Sequence, residues 1–384
     1  MMIKNKQWEY RTLEDAVQKG SSNISLNKIK NEVGKYPVFK AKGFAQNVSF
    51  FQQEKEYLAI IKDGAGIGRV SKHPAKSSVV ATMQYLIPKE GFDIGFIEYF
   101  LNGVDFEKYR NGSTIPHIYF KNYKSETFPI ISLSEQKRIV AILDKTFAEI
   151  AKAETIAKTN LQNAKELFES YLNNVFENKC NNWKKTKLGE ITTKIGSGST
   201  PRGGKENYKN EGISLIRSMN VHNFEFRKKS LAFIDNKQAN ALSNVILQKN
   251  DILLNITGAS IARCCIVPKQ YLPARVNQHV SIIRAKPDFI LPIFLGLLLI
   301  SKFYKDKILE TGERGSTRQA ITKAQLEGFK ISIPKTIEEQ KQIAQKINTL
   351  QVQIKKIEVI YRKKVTDLSE LKKSILQKAF NGEL

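Results

Sequence analysis

Gly198-Ser-Thr-Pro-Arg-Gly-Gly-Lys205 carries the ingredients of a phosphate-cradling loop: glycines, hydroxyls and a lysine. A nucleotide-binding loop of that kind needs a fixed spacing from its first glycine to a Gly-Lys pair, then Ser or Thr to hold magnesium. Here the lysine arrives one residue late and Glu206 follows it, which argues against nucleotide hydrolysis. Gly64-Ala-Gly-Ile-Gly68 lacks the GxGxxG spacing of a dinucleotide loop and reads as a tight turn allowing close backbone approach. His73, His117, His222 and His279 show no paired ligand spacing, and Cys180, Cys264 and Cys265 suggest neither a zinc site nor a disulfide framework. Glu135-Gln-Lys137 and Glu339-Gln-Lys341 imitate part of a nuclease site. Each falls in the first turn of a helix, where a glutamate complements the dipole. No Asn-Pro-Pro-aromatic segment is present to hold a target adenine for methyl transfer. These residues predict a chain without a catalytic centre, metal or cofactor of its own.

What the sequence does supply is positive charge. Lys and Arg number 62 against 37 Asp and Glu, a net +25. Such an excess favours a polyanionic partner, because neutralised phosphates release their counterions. Phosphate contacts call for Lys, Arg and backbone N–H groups, and base reading favours Arg, Asn and Gln. Candidates for binding double-stranded DNA fall in two groups, in or beside turn-like segments. The first is Lys40, Lys42, Lys62, Arg69, Lys72, His73, Lys76 and Arg110. The second is Arg202, Lys205, Arg217, Arg263, Arg275, Asn277, Gln278, Arg314, Arg318 and Gln319. For each residue a solvated surface charge is the competing reading, and Asn277-Gln278 could instead satisfy internal backbone groups. The longest apolar run, Phe289 to Ile300, holds a proline and a glycine and is shorter than the roughly 20 residues of a membrane span. A cytoplasmic protein is expected.

Two groups imply two modules, and the chain is indeed written twice. Trp8-Glu-Tyr-Arg-Thr-Leu13 is echoed by Trp183-Lys-Lys-Thr-Lys-Leu188 at an offset of 175, and Asp63-Gly-Ala-Gly-Ile-Gly-Arg69 by Thr257-Gly-Ala-Ser-Ile-Ala-Arg263 at 194. Apolar stretches starting at Phe92 and Phe289 match at 197, Gly112-Ser-Thr114 and Gly315-Ser-Thr317 at 203, and the two Glu-Gln-Lys tripeptides at 204. The order never changes. Each copy has a globular part with short strand-like runs, 1–133 and 181–334, followed by a proline-free helical part, 134–180 and 335–384. Ser134 and Thr336 are the expected helix caps.

Apolar residues in both helical parts follow 3–4 spacing, the pattern of a coiled-coil seam. Leu143, Ile150, Ala157, Ala164 and Tyr171 coincide with Ile347, Ile354, Tyr361, Leu368 and Ile375 at the repeat offset of 204, and Ile357 and Leu371 also fit the pattern. The expected fold is α+β: two mixed α/β domains separated by two long helices packed as an antiparallel coiled coil, a pseudo-two-fold internal repeat. Helices of about 46 residues would be roughly 69 Å long and could act as a ruler between the domains. Self-association through the same seam is the alternative. Residues 134–179 are net neutral and 337–384 carry +4, which leaves +21 on the globular parts.

This layout resembles the specificity subunit of type I restriction–modification systems, over essentially the whole chain. The markers are Leu188-Gly-Glu-Ile191 with Gly196-Ser-Gly-Ser-Thr-Pro201, Asp251-Ile-Leu-Leu-Asn-Ile-Thr-Gly-Ala259, and Asn277-Gln-His279. Ile331-Ser-Ile-Pro334 with Glu339-Gln-Lys341, and the ending Leu376-Gln-Lys-Ala-Phe-Asn-Gly-Glu-Leu384, fit as well. Lys35-Tyr-Pro-Val-Phe39 with Gly43, and Asp63-Gly-Ala-Gly66, are similar to another variety of the same domain. The first copy departs in reducing the Gly-Ser-Thr-Pro segment to Gly20-Ser-Ser22. The resemblance implies target-recognition domains that each read half of a split DNA sequence, with the helices docking two methyltransferase (modification) subunits. Those partners would bring S-adenosylmethionine and adenine N6-methylation, and restriction/translocase subunits would bring ATP and magnesium. A stand-alone nucleic-acid-binding scaffold, dimerising through its coiled coils without catalytic partners, is the competing function.

Overall fold

The computed structural model describes residues 8–178, 183–201, 204–313 and 320–384. The chain divides into two compact units, Met1–Lys158 with Arg362–Leu384, and Thr159–Tyr361.

Among the described residues the first unit contains nine strands: β1 (Glu9–Thr12), β2 (Val17–Ser21), β3 (Tyr36–Lys40), β4 (Gly43–Val48), β5 (Tyr57–Ile61), β6 (Val70–His73), β7 (Ser78–Val79), β8 (Met83–Pro88) and β9 (Thr127–Ile130). Its helices are α1 (Leu13–Ala16), α2 (Leu26–Ile29), α3 (Ile94–Gly103), α4 (Phe120–Tyr123) and the first part of α5 (Leu133–Asn178). The strands form a sheet ordered β2-β8-β5-β6, a sheet ordered β4-β3-β7 and the ribbon β1-β9. Strand β5 explains the layering. Successive side chains point to opposite faces of a strand. Leu58 and Ile60 join a core with Phe96, Phe100 and Phe128, whereas Tyr57, Ala59 and Ile61 join a second core with Val38 and Val79. A strand buried on both sides needs a continuous apolar run, and Tyr57–Ile61 is one.

The second unit repeats the plan. Its strands are β10 (Lys184–Lys187), β11 (Thr192–Ser197), β12 (Ile213–Ile216), β13 (Val221–His222), β14 (Glu225–Phe226), β15 (Ala232–Ile234), β16 (Ile252–Asn255), β17 (Cys264–Ile266), β18 (Ala274–Val276), β19 (Val280–Ala285) and β20 (Lys330–Ile333). Its helices are α6 (Asn236–Asn240), α7 (Pro292–Ile300), α8 (Lys302–Glu313), α9 (Lys323–Glu327) and the larger part of α10 (Ile337–Asn381). The orders β11-β19-β16-β17, β15-β12-β18 and β10-β20 match those of the first unit strand for strand, and β13-β14 is an added hairpin. The parallel pairing of β3 with β7 recurs between β12 and β18.

Individual hydrogen bonds recur at the sequence offsets. Ile61 N donates to Arg69 O at 3.0 Å and Asn255 N to Arg263 O at 2.9 Å; Ile118 N donates to Lys62 O and Ile321 N to Ile256 O, both at 2.9 Å. The two Glu-Gln-Lys tripeptides acquire a role that no catalytic reading gave them. Their central glutamines are buried and staple each long helix to the segment before α3 or α7. Gln136 accepts from Asp93 N at 2.8 Å and donates to Gly91 O at 3.0 Å; Gln340 accepts from Leu291 N at 2.9 Å and donates to Phe289 O at 3.0 Å.

Within each unit the long helices run antiparallel. In the first, Leu143 near the start of α5 shares a core with Leu376, Ala379 and Phe380 near the end of α10. In the second, Leu172, Val175 and Phe176 near the end of α5 share a core with Ile343, Ala344 and Ile347 near the start of α10. Of the seam residues, Leu143, Ile150, Ala157, Ala164, Ile347 and Ile354 are buried, while Tyr171, Tyr361, Leu368 and Ile375 are half-buried. Asn160 donates to the Tyr361 hydroxyl at 3.0 Å. Ile357 and Leu371 are corrections to the seam: both are exposed, because the covered face of α10 follows the seven-residue steps 347, 354, 361, 368 and 375. A second correction concerns the cap of α5. The Ser132 hydroxyl, not Ser134, accepts from Glu135 N at 3.3 Å, whereas Thr336 does cap α10 through Glu339 N at 3.2 Å. Among the described residues no helix is long and apolar enough to cross a membrane.

Candidate nucleic-acid interface

In the first unit the Asp63–Arg69 turn gathers three segments. Gly64 takes a positive φ of 95°, which glycine adopts at little cost, and its N–H donates to Pro116 O at 2.9 Å. The Arg69 guanidinium reaches Ala41 O at 3.3 Å, in the bend between β3 and β4 that carries half-buried Lys40 and exposed Lys42. The Asp63 carboxylate lies 2.7 Å from His117 Nδ1 and 3.6 Å from Lys62 Nζ. Lys40, Lys42, Lys62 and Arg69 therefore surround one turn. The others stand apart in surface ion pairs: Lys72 with Glu56 at 3.0 Å, Lys76 with Glu54 at 3.7 Å and Arg110 with Glu107 at 3.3 Å. His73 is corrected. It is buried between Phe39 and Tyr57, its ring is bonded to the Ser71 hydroxyl at 2.8 Å, and burial pushes its pKa down to about 4. It is a neutral core group with no free edge for DNA.

In the second unit the equivalent turn, Thr257–Arg263, repeats the internal bonds of the first: Ile67 N donates to Gly64 O and Gly68 N to Ile61 O, as Ile261 N does to Gly258 O and Ala262 N to Asn255 O. Gly258 has φ 65°, and Ala262 at φ 64° stands where the first copy has Gly68 at φ 83°. Ser218, Met219, Thr257, Gly258, Ala259, Ser260, Arg263 and His279 line a cavity of about 450 Å³. Arg217 stacks on Tyr208 at 5.2 Å and donates to Ser230 O. Gln278 is exposed and accepts from the Thr200 hydroxyl at 2.5 Å, which ties it to the Gly196–Pro201 segment. Only glycine fits at 198, where an added Cβ would lie 1.9 Å from Val276 O.

Two further assignments are corrected here. Arg275 is buried on β18, donating to Ala239 O at 3.2 Å, and the loss of hydration lowers its pKa. Asn277 is buried too, with Oδ1 accepting from His279 N at 3.1 Å. Both are framework, not reading surface, because β12 pairs directly beside β18. Arg202, Arg314, Arg318, Gln319 and the Lys205 side chain lie outside the described residues. Sequence reading missed Ser218, Thr257, Ser260 and His279 as lining, although the match between 63–69 and 257–263 already marked the turn. Cys264 and Cys265 are free, buried thiols whose pKa burial raises, and no metal-binding group occurs among the described residues.

Two copies of one turn, each in a module that leads into a long helix, are the geometry that comparison with known proteins explains. The model for the type I restriction modification DNA specificity domain matches the chain twice, over residues 5–160 and 181–362. The chain belongs to this specificity-subunit family. It is 27% identical over 46% of its length to a Mycoplasma pneumoniae protein named as a type I specificity subunit, and 29% identical over 45% to the Escherichia coli EcoBI specificity subunit. Those matches span 55% and 36% of the two relatives' own lengths. The EcoKI specificity subunit of Escherichia coli matches at 23% identity over 94% of this chain and 82% of its own. Among solved structures, a chain described for complex assembly and conformational transition of the type I R-M system superposes with a TM-score of 0.77 at 16% identity, covering 99% of both chains. The HsdS subunit of Thermoanaerobacter tengcongensis superposes at 0.58 with 15% identity, covering 99% of this chain and 98% of its own. At such identities the superpositions speak for the fold. The specificity family thus accounts for the duplicated modules and the two long helices.

Proposed function

We propose that this chain reads a bipartite DNA target, one half-site per globular module, as the non-catalytic specificity subunit of a type I restriction–modification complex. The observation that carries this reading is the duplicated module: the same strand orders and the same bonds inside the turns 63–69 and 257–263 recur in two basic, separately folded units, as two half-site readers require. The net +25 supplies the sequence-independent attraction to phosphate. Docking of two modification subunits is supported by apolar side chains that the helices leave uncovered. In the second unit Leu167, Val352, Val359 and Ile360 are exposed, and Leu167, Tyr171 and Leu350 line a groove of about 580 Å³ with Gln342 and Gln345. Exposed apolar groups in such number mark interaction surface. S-adenosylmethionine would then reside on the modification subunits, and ATP with magnesium on the restriction/translocase subunits.

The test is a methylome of cells expressing this chain with its modification subunits. Methylated adenines in a motif of two half-sites around an unspecified gap are expected. Binding of duplex DNA without any methylated motif would instead point to a stand-alone scaffold.

A further inference from the structure

We propose that the cavity beside the Thr257–Arg263 turn is a phosphate-contact site, in which Arg263 and His279 hold one backbone phosphate of duplex DNA. The proposal rests on the DNA-reading function above and assigns one contact within it.

The lining contains an arginine, a histidine and three hydroxyl side chains, and no carboxylate. Arg263 is half-buried, and among the described residues no carboxylate or carbonyl takes its guanidinium protons. His279 Nδ1 lies 2.6 Å from the Thr257 hydroxyl, which fixes the ring and leaves Nε2 for a ligand. The nearby His222 has its pKa lowered by burial first and then by the positive charges of Arg227 and Arg263, with the Glu225 carboxylate and a backbone hydrogen bond at Met219 acting the other way. A charged fork, an imidazole and hydroxyls around a glycine turn suit a tetrahedral oxyanion. Glycine at 258 also leaves the space above the turn open, since an added Cβ would meet no atom within 4 Å.

The first copy supplies an internal contrast. Asp63 stands where the second copy has Thr257, its carboxylate is held by His117, and Arg69 is engaged by the Ala41 carbonyl. A carboxylate at the head of the turn repels phosphate, so the same backbone serves as a phosphate clamp only in the second copy.

The experiment is a salt titration of the full chain on a duplex carrying its methylated motif and on an unrelated duplex. Arg263→Gln should make the log–log salt slope shallower by about 0.9, the share of one phosphate. Affinity should fall roughly three- to tenfold at 0.1 M salt, by the same factor on both duplexes. Thr257→Asp, which copies the first module's carboxylate into the second, should reproduce the loss and carries the test should Arg263→Gln fail to fold. In a scan of the duplex with neutral methylphosphonates, one position should weaken the unsubstituted protein and have no effect on Arg263→Gln. An unchanged slope in both second-module variants overturns the site, and so does a loss confined to the motif with a relaxed half-site, which would make Arg263 a base reader. Failure of the unsubstituted chain to bind duplex DNA at all would remove the DNA-reading function, and this site with it.

Discussion

Asp63 and Thr257 occupy the same place in two copies of one turn, and their side chains do opposite things. The Asp63 carboxylate fixes His117 at 2.7 Å, whereas the Thr257 hydroxyl fixes His279 at 2.6 Å and leaves the cavity without negative charge. The backbone is held constant while the charge at its rim changes. That contrast underlies the account of DNA reading.

Binding of DNA should weaken steeply with salt. With six or more phosphates neutralised, affinity should fall about 10³-fold between 50 and 200 mM salt. Fluorescence anisotropy with labelled duplex measures this, and a flat response would count against binding through the basic modules.

The glutamine staples should be structural. Gln340→Met keeps the volume but leaves the Phe289 carbonyl and the Leu291 N–H without their partner. At about 1–3 kcal/mol for each orphaned group, a loss of about 2–6 kcal/mol is the ceiling, with the lower end expected because both groups are only half-buried. Gln136→Met should behave alike in the first unit. Pulse proteolysis in urea reads both, and a change under about 0.5 kcal/mol would mean water replaces the amide.

Asp251 should be similarly intolerant. It is fully buried, receives Arg284 through two bonds of 2.7 Å and accepts from Gln248 N at 2.7 Å. Asp251→Ala leaves a cation without its partner and should cost about 3–5 kcal/mol. Restoring most of that stability with Arg284→Met in the same chain would identify the stranded charge as the cause.

The first module should lose stability in mild acid through His73. Its folded pKa is about 4, below the ordinary 6.5, so the unfolded chain binds the extra proton between those values. Stability from this group is therefore complete above about pH 6.5 and declines as pH falls toward 4. The span is on the order of 3 kcal/mol. His73→Phe keeps a ring between Phe39 and Tyr57 and should flatten the pH profile over that window. An unaltered slope would move the titration to another group.

The division of legible from illegible residues has a physical basis. Repeats and helices were readable because offsets and 3–4 spacing are properties of the chain itself, and the seven-residue steps 143, 150, 157 and 164 are all buried. The turns were readable because Gly64 and Gly258 need positive φ. Arg275, Asn277 and His73 were not, since their burial depends on which strands pair, and β12 meets β18 from far along the sequence. Ile357 and Leu371 fit a seam pattern whose outer row the fold leaves open. Gln136 and Gln340 sit between charged neighbours in their tripeptides, and only tertiary structure gives their amides a target.

Exchange of residues 181–334 for the equivalent module of a relative, followed by a methylome with the cognate modification subunits, tests the central claim most directly. Independent modules predict that one half of the methylated motif changes and the other half stays as it was. A motif rewritten in both halves, or altered in neither, would contradict the reading of one half-site per module.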